Sequence, residues 1–192
     1  SAAQRGAPLG EFVRRGDLRG LRCFLFIHAV TSSGASEDGW STTLPLPVWA
    51  RVFDTTRHAD RRSAATSASK ALARLEQHGL ITRARSGHAR AVRVTLLRPD
   101  GSREPYSRPD GSTHRYLQLN NRYWTEGWYE KLDLPATAML LVALHEKPSF
   151  ELATNRVPDW YGFSADTAER GMKTLEGLGL ITIRRRVKAA PL

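Results

Sequence analysis

Apolar residues recur at helical spacing in two windows set a hundred residues apart. Residues 63–86 read SAATSASKALARLEQHGLITRARS, and residues 163–186 read FSADTAERGMKTLEGLGLITIRRR. Ala68, Leu72 and Leu75 stand at i, i+4 and i+7 in the first, as do Ala168, Met172 and Leu175 in the second. That spacing lays a single apolar stripe along a helix. Gly79 and Gly179 follow the last periodic residue, where a left-handed cap ends a helix. Ser164 suits the N-cap of the second helix and Asp166 its first turn. Leu-Ile-Thr then opens a strand-like run, so each window predicts a helix, a glycine stop and a strand. At an offset of 100, Ala65, Ala68, Leu75, Glu76, Gly79, Leu80, Ile81, Thr82 and Arg85 match their partners, nine of 24 positions. Chance alone gives about one or two, so the chain carries an internal repeat.

Each window follows other helical segments. Residues 18–31 (LRGLRCFLFIHAVT) form a strongly apolar run, and residues 47–53 begin with Pro47 at a first helical position. Before the second window come residues 135–146 (PATAMLLVALHE) and a short helix about 158–161, after which Gly162 turns the chain into Ser164. Both halves thus read helix, helix, turn, helix, strand. Residues 90–97 read as a returning strand, with Val92, Val94 and Leu96 on one face and Arg93 and Thr95 on the other. Ser86, Gly87 and His88 make its hairpin tip. Residues 32–44 and 55–62 read as long connections. Arg-Pro-Asp-Gly-Ser occurs at 98–102 and again at 108–112. This is turn chemistry, so the two copies bracket a short strand, and residues 113–119 are expected to add another.

This order, with the run ALARLEQHGLITRARSG inside it, resembles the winged helix-turn-helix family over most of residues 18–97 and 133–186. The resemblance implies an α+β fold, mainly α, of tandem winged helix-turn-helix domains with β-hairpin wings. The expected layout is an N-terminal extension at 1–17, a first domain at 18–119 with an extended wing, an aromatic connector at 120–132 and a second domain at 133–192. Tandem winged helices occur in transcriptional regulators and in plasmid replication initiators, and the chain is similar to both in architecture. Near the connector lie Tyr116, Tyr123, Trp124, Trp128 and Tyr129, with Glu126 and Glu130 interleaved. Their balanced charge favours packing between the halves over stacking on single-stranded bases.

Charge changes the picture from fold to partner. The 192 residues carry a net +10, which points to a polyanion such as nucleic acid. Its distribution is uneven: residues 51–98 hold eleven Lys/Arg against three Asp/Glu, whereas residues 125–182 hold five against nine. Arg184, Arg185, Arg186 and Lys188 add a basic tail. No apolar run is long enough to span a bilayer, and no signal-peptide pattern opens the chain. The chain opens Ser-Ala-Ala without a Met and reads as part of a longer protein. One cysteine, Cys23, excludes an internal disulfide and fits a reducing cytoplasm, nucleoid-associated in a bacterium.

The resemblance places the third helix of the unit in the major groove of double-stranded DNA. With Ala68, Leu72 and Leu75 inward, Thr66, Ser67, Ser69, Lys70, Ala73 and Arg74 are expected to face out. Lys70 would donate to guanine, and the hydroxyls of Thr66, Ser67 and Ser69 would reach phosphates or bases. Arg83, Arg85, His88, Arg90 and Arg93 fall on the wing, where arginines grip phosphates and add salt dependence. The second copy offers Thr167, Arg170 and Lys173, with Arg184, Arg185 and Arg186 beyond, but Asp166 and Glu169 would repel phosphate. No catalytic or cofactor motif stands out, and the six histidines lack ligand spacing. His28 and Cys23 read as core residues. No enzyme activity, cofactor or metal is expected. Three functions fit: a transcriptional regulator acting as a homodimer on a palindromic operator, a replication initiator of a mobile element, and a protein-interaction module.

Overall fold

Asp17 starts the first long helix. Its carboxylate accepts from the Gly20 N–H at 2.9 Å, satisfying a donor that a helix N-terminus otherwise leaves unpaired, and α2 runs Leu18–Val30 from there. Gly20 lets this carboxylate sit close over the helix start, since a Cβ there would push it aside. The computed structural model describes residues 8–31, 39–52, 61–87, 91–109 and 116–184. These build a mixed α+β fold, mainly helical, with one small antiparallel sheet. The chain divides into two compact units, residues 1–115 and 116–192.

The first unit begins with α1 (Pro8–Arg14), inside the stretch expected to be an extension. Phe12 is buried and meets the rings of Phe24 and His78 at centroid distances of 6.2 and 6.5 Å. After α2 come β1 (Ser41–Pro45), α3 (Leu46–Val52), α4 (Arg61–Gln77), β2 (Ile81–Ser86) and β3 (Ala91–Leu96). The sheet order is β1-β3-β2, all antiparallel. β1 corrects the expectation that residues 32–44 are only a connection. It is an edge strand, and Pro45 lacks the N–H that an inner strand would need. The core joins Leu21 and Ile27 of α2, Trp49 of α3, Ala68, Leu72 and Leu75 of α4, and Ile81, Val94 and Leu96 of the sheet. Each fully buried aliphatic side chain of this kind contributes about 1.5–3 kcal/mol. The Trp49 indole N–H donates to the Val92 carbonyl at 3.4 Å, tying α3 to β3. Cys23 is fully buried, and desolvation pushes its thiol pKa well up.

The second unit holds α5 (Arg122–Thr125), α6 (Trp128–Lys131), α7 (Leu134–His145), a 3-10 turn at Thr154–Arg156, α8 (Val157–Tyr161) and α9 (Ala165–Gly177). Asp133 caps α7 through the Ala136 N–H at 2.9 Å, and Ser164 caps α9 through the Thr167 N–H at 3.2 Å. α7 and α9 cross closely at Gly171, where a Cβ would press into the Pro135 carbonyl oxygen and stand 2.7 Å from Met139 Cγ. Tyr123, Trp124 and Tyr129 cluster here, with ring centroids 4.8 to 6.5 Å apart.

Two expected strands are absent from the described residues. Residues 181–184, which follow the second glycine stop, form no strand, and neither do residues 116–119. The reason is common to both. A strand is held by hydrogen bonds to a neighbour, and no partner strand stands beside either segment among the described residues. The first Pro-Asp-Gly sequence does turn the chain, but the short strand expected between the two copies is reduced to a single bridge between Leu97 and Pro105. The remainder of the expected wing, residues 110–115, lies outside the described residues.

Candidate nucleic-acid interface

α4 carries its buried residues Ala64, Ala68, Ala71, Leu72 and Leu75 on one side. At about 100° per residue, the opposite ridge runs through Thr66, Lys70, Ala73 and Gln77. Thr66, Lys70 and Gln77 are exposed, and Ala73 is half-buried. Ser67, Ser69 and Arg74, which were also expected to face out, lie on the flanks and are half-buried. Gln77, and the exposed Ser63 near the start of the helix, were missed from the sequence. Extending the same helical phase by one turn from Lys70 and Ala73 was enough to find Gln77.

The basic residues divide into two groups. Arg74 reaches from α4 to Asp17, with Nε and Nη2 each 3.2 Å from a carboxylate oxygen. The Asp17 carboxylate therefore caps α2 and grips α4 at once. Arg83 folds back onto α4: its Nε and Nη2 donate to Glu76 Oε2 at 2.9 and 2.6 Å, and its Nη1 donates to the Ser69 carbonyl at 3.3 Å. Arg85, two residues on along β2, is exposed. Arg93 lies half-buried in β3, in register with Thr43 on one side and Ala84 on the other. His88 and Arg90 fall outside the described residues.

The second unit places its corresponding residues differently. Glu169, Arg170 and Lys173 are exposed on α9, and Arg170 lies 3.8 Å from Asp166 across one turn. Thr167 is half-buried, its hydroxyl 2.8 Å from that of Ser164 within the N-cap. Arg184 is exposed, whereas Arg185 and Arg186 lie outside the described residues. Beside α9, Trp160, Leu178 and Leu180 are large apolar side chains left exposed.

Other chemistry is sparse in what is described. No group of three His, Cys, Asp or Glu side chains is arranged to hold a metal ion among the described residues, and no helix there is long and apolar enough to cross a membrane. His28 packs edge-on against Phe24 and Tyr106 at 4.7 and 5.0 Å, and burial lowers its pKa to about 4. Tyr161 donates to Glu146 at 2.9 Å, and desolvation together with that carboxylate lifts its phenol to about 12.

Comparison with known protein families, curated proteins and solved structures finds no match for this chain.

Proposed function

We propose that the chain is a double-stranded DNA-binding protein of the winged helix-turn-helix kind, working as a transcriptional regulator. The observation that carries this reading is the exposed Thr66–Lys70 ridge of α4, set in the basic stretch of residues 51–98 and followed directly by β2 with Arg85. From α2 onward the order helix, strand, helix, helix, strand, strand, with sheet order β1-β3-β2, supports the winged fold for the first unit. In this reading the exposed ridge of α4 enters the major groove. Thr66 and Lys70 meet base edges there, and small neighbours such as Ala73 permit close approach. Arg85 holds phosphate on the flank.

The test is selection of bound fragments from random duplex DNA, followed by fluorescence anisotropy on the enriched site. Lys70→Ala should weaken the selected site by about 1–3 kcal/mol and leave random DNA less affected. No enrichment, or equal affinity of wild type and Lys70→Ala, overturns the reading. A single palindrome among the enriched fragments fits the regulator, whereas iterated repeats favour a replication initiator.

A second reading concerns the second unit alone. Its α9 presents Asp166 and Glu169, which repel phosphate, on the face a groove-reading helix would turn to DNA, and Leu178 and Leu180 are exposed beside it. These favour an association surface over a second DNA reader.

A further inference from the structure

The two repeats end on the same turn but not among the same neighbours. In the first unit Leu80 and Ile81 are buried, 4% and 0% exposed, because β3 runs alongside. Ile81 is in register with Leu96, and the Leu97 N–H donates to the Leu80 carbonyl at 3.0 Å. In the second unit Gly179 turns the chain at φ 70°, and the Leu180 N–H donates to the Leu175 carbonyl at 2.9 Å. Leu80 and Leu75 do the same at 3.1 Å. Glu176 Oε1 then accepts from the Ile183 N–H at 3.0 Å, as Glu76 Oε1 accepts from Arg83. Residues 180–184 therefore set out along the path that β2 takes. No strand stands beside them among the described residues, and Leu178 and Leu180 are left 40% and 37% exposed.

Backbone groups alternate sides along an extended chain. Since the Ile183 N–H is turned to α9, the N–H and C=O groups of Thr182 and Arg184 are turned to the side that β3 occupies in the first unit. We propose that this edge docks a second copy of the chain, with residues 180–184 of each copy paired antiparallel about a two-fold axis at Thr182.

Two features select that occupant. The edge is self-complementary, because a two-fold axis at Thr182 lets the two threonines exchange both backbone hydrogen bonds. Antiparallel pairing also sets Arg184 of one copy opposite Leu180 of the other, at the C-terminal end of the other α9. That helix end is negative by its dipole and carries Glu176; parallel pairing would set Arg184 against Arg184. One short strand pair with a few leucines falls short of the roughly 1,200–2,000 Å² of a stable complex, so the dimer is weak and reversible.

Sedimentation velocity on the full chain without DNA, from micromolar to hundreds of micromolar concentrations, tests this separately from DNA binding. A reversible monomer–dimer equilibrium is expected. Thr182→Pro deletes both central N–H donors and should weaken it about tenfold or more, with unchanged circular dichroism. Leu180→Ser should weaken it without touching the backbone, and Arg85→Ala should leave it intact. A chain that stays monomeric throughout overturns the proposal, as does a dimer that survives both Thr182→Pro and Leu180→Ser. Hydrogen-exchange protection of residues 180–184 that is independent of concentration also overturns it, since the chain would then cover its own edge.

Discussion

Glu76 Oε1 accepts the backbone N–H of Arg83 at 3.0 Å, while its Oε2 takes the Arg83 guanidinium at 2.9 and 2.6 Å. One carboxylate on the last turn of a helix thereby fixes both the backbone and the side chain of the strand that follows. The second repeat keeps the backbone half of this clamp between Glu176 and Ile183 and lacks the side-chain half. Glu76→Ala should therefore cost about 1–3 kcal/mol, because it strands a half-buried guanidinium as well as an N–H. Glu176→Ala should cost about 0.5–1.5 kcal/mol, with only one neutral-donor bond at stake. Urea unfolding of each variant compares them, and equal losses would show that the guanidinium adds nothing.

The same clamp separates two arginines of one strand. Arg85 is exposed and is expected to neutralise phosphate, so Arg85→Ala should lower the salt slope of DNA binding by about 1. Arg83 is already committed to Glu76 and Ser69. Arg83→Ala should lower stability and leave the salt slope nearly unchanged. Anisotropy titrations across a range of salt concentrations distinguish the two, and a steeper effect from Arg83 would reverse the assignment.

Gly171 and Gly177 share α9 but not its surroundings. Gly171→Ala should destabilise the second unit by about 1–3 kcal/mol or more, since α7 leaves no room for a methyl group. Gly177 has open space around it and no positive φ. Gly177→Ala should stabilise by about 0.4–1 kcal/mol through the unfolded chain's lost freedom. Thermal unfolding of both variants checks the opposite signs.

His28 makes acid stability a local property. Its pKa is held at about 4 in the fold against 6.5 for the ordinary imidazole, so the unfolded chain takes up a proton that the folded one refuses. Stability should be full above about pH 6.5 and decline as the pH falls towards 4. His28→Phe keeps a ring against Phe24 and Tyr106 and should flatten that decline. Urea midpoints measured against pH for both proteins give the answer, and parallel curves would rule the imidazole out.

Helices were the legible part of this chain. α2, α3, α4, α7, α8 and α9 lie within a few residues of their expected bounds, because stripes such as Ala68, Leu72 and Leu75 and caps such as Ser164 and Gly179 act locally. β1 was not legible: Ser-Thr-Thr-Leu-Pro has one strongly apolar residue, and its register comes from β3, some fifty residues away. The strand expected after Gly179 failed for the complementary reason, since strand-forming residues without a neighbour satisfy no ladder. The candidate site divides the same way. Helical phase placed Thr66 and Lys70 on the exposed ridge. It could not foresee that Arg74 pairs with Asp17, 57 residues earlier, or that Arg83 bends back to Glu76.

Cys23, fully buried and with its thiolate disfavoured, has a practical consequence. Thiol-directed dyes react through the thiolate and need access to it, so the native protein is close to a blank for such labelling. Cysteines introduced at exposed Ser86 or Glu169 would then be the reactive ones. Each unit can carry its own fluorophore without first removing a native cysteine, and the optical response of each to duplex DNA can be recorded separately.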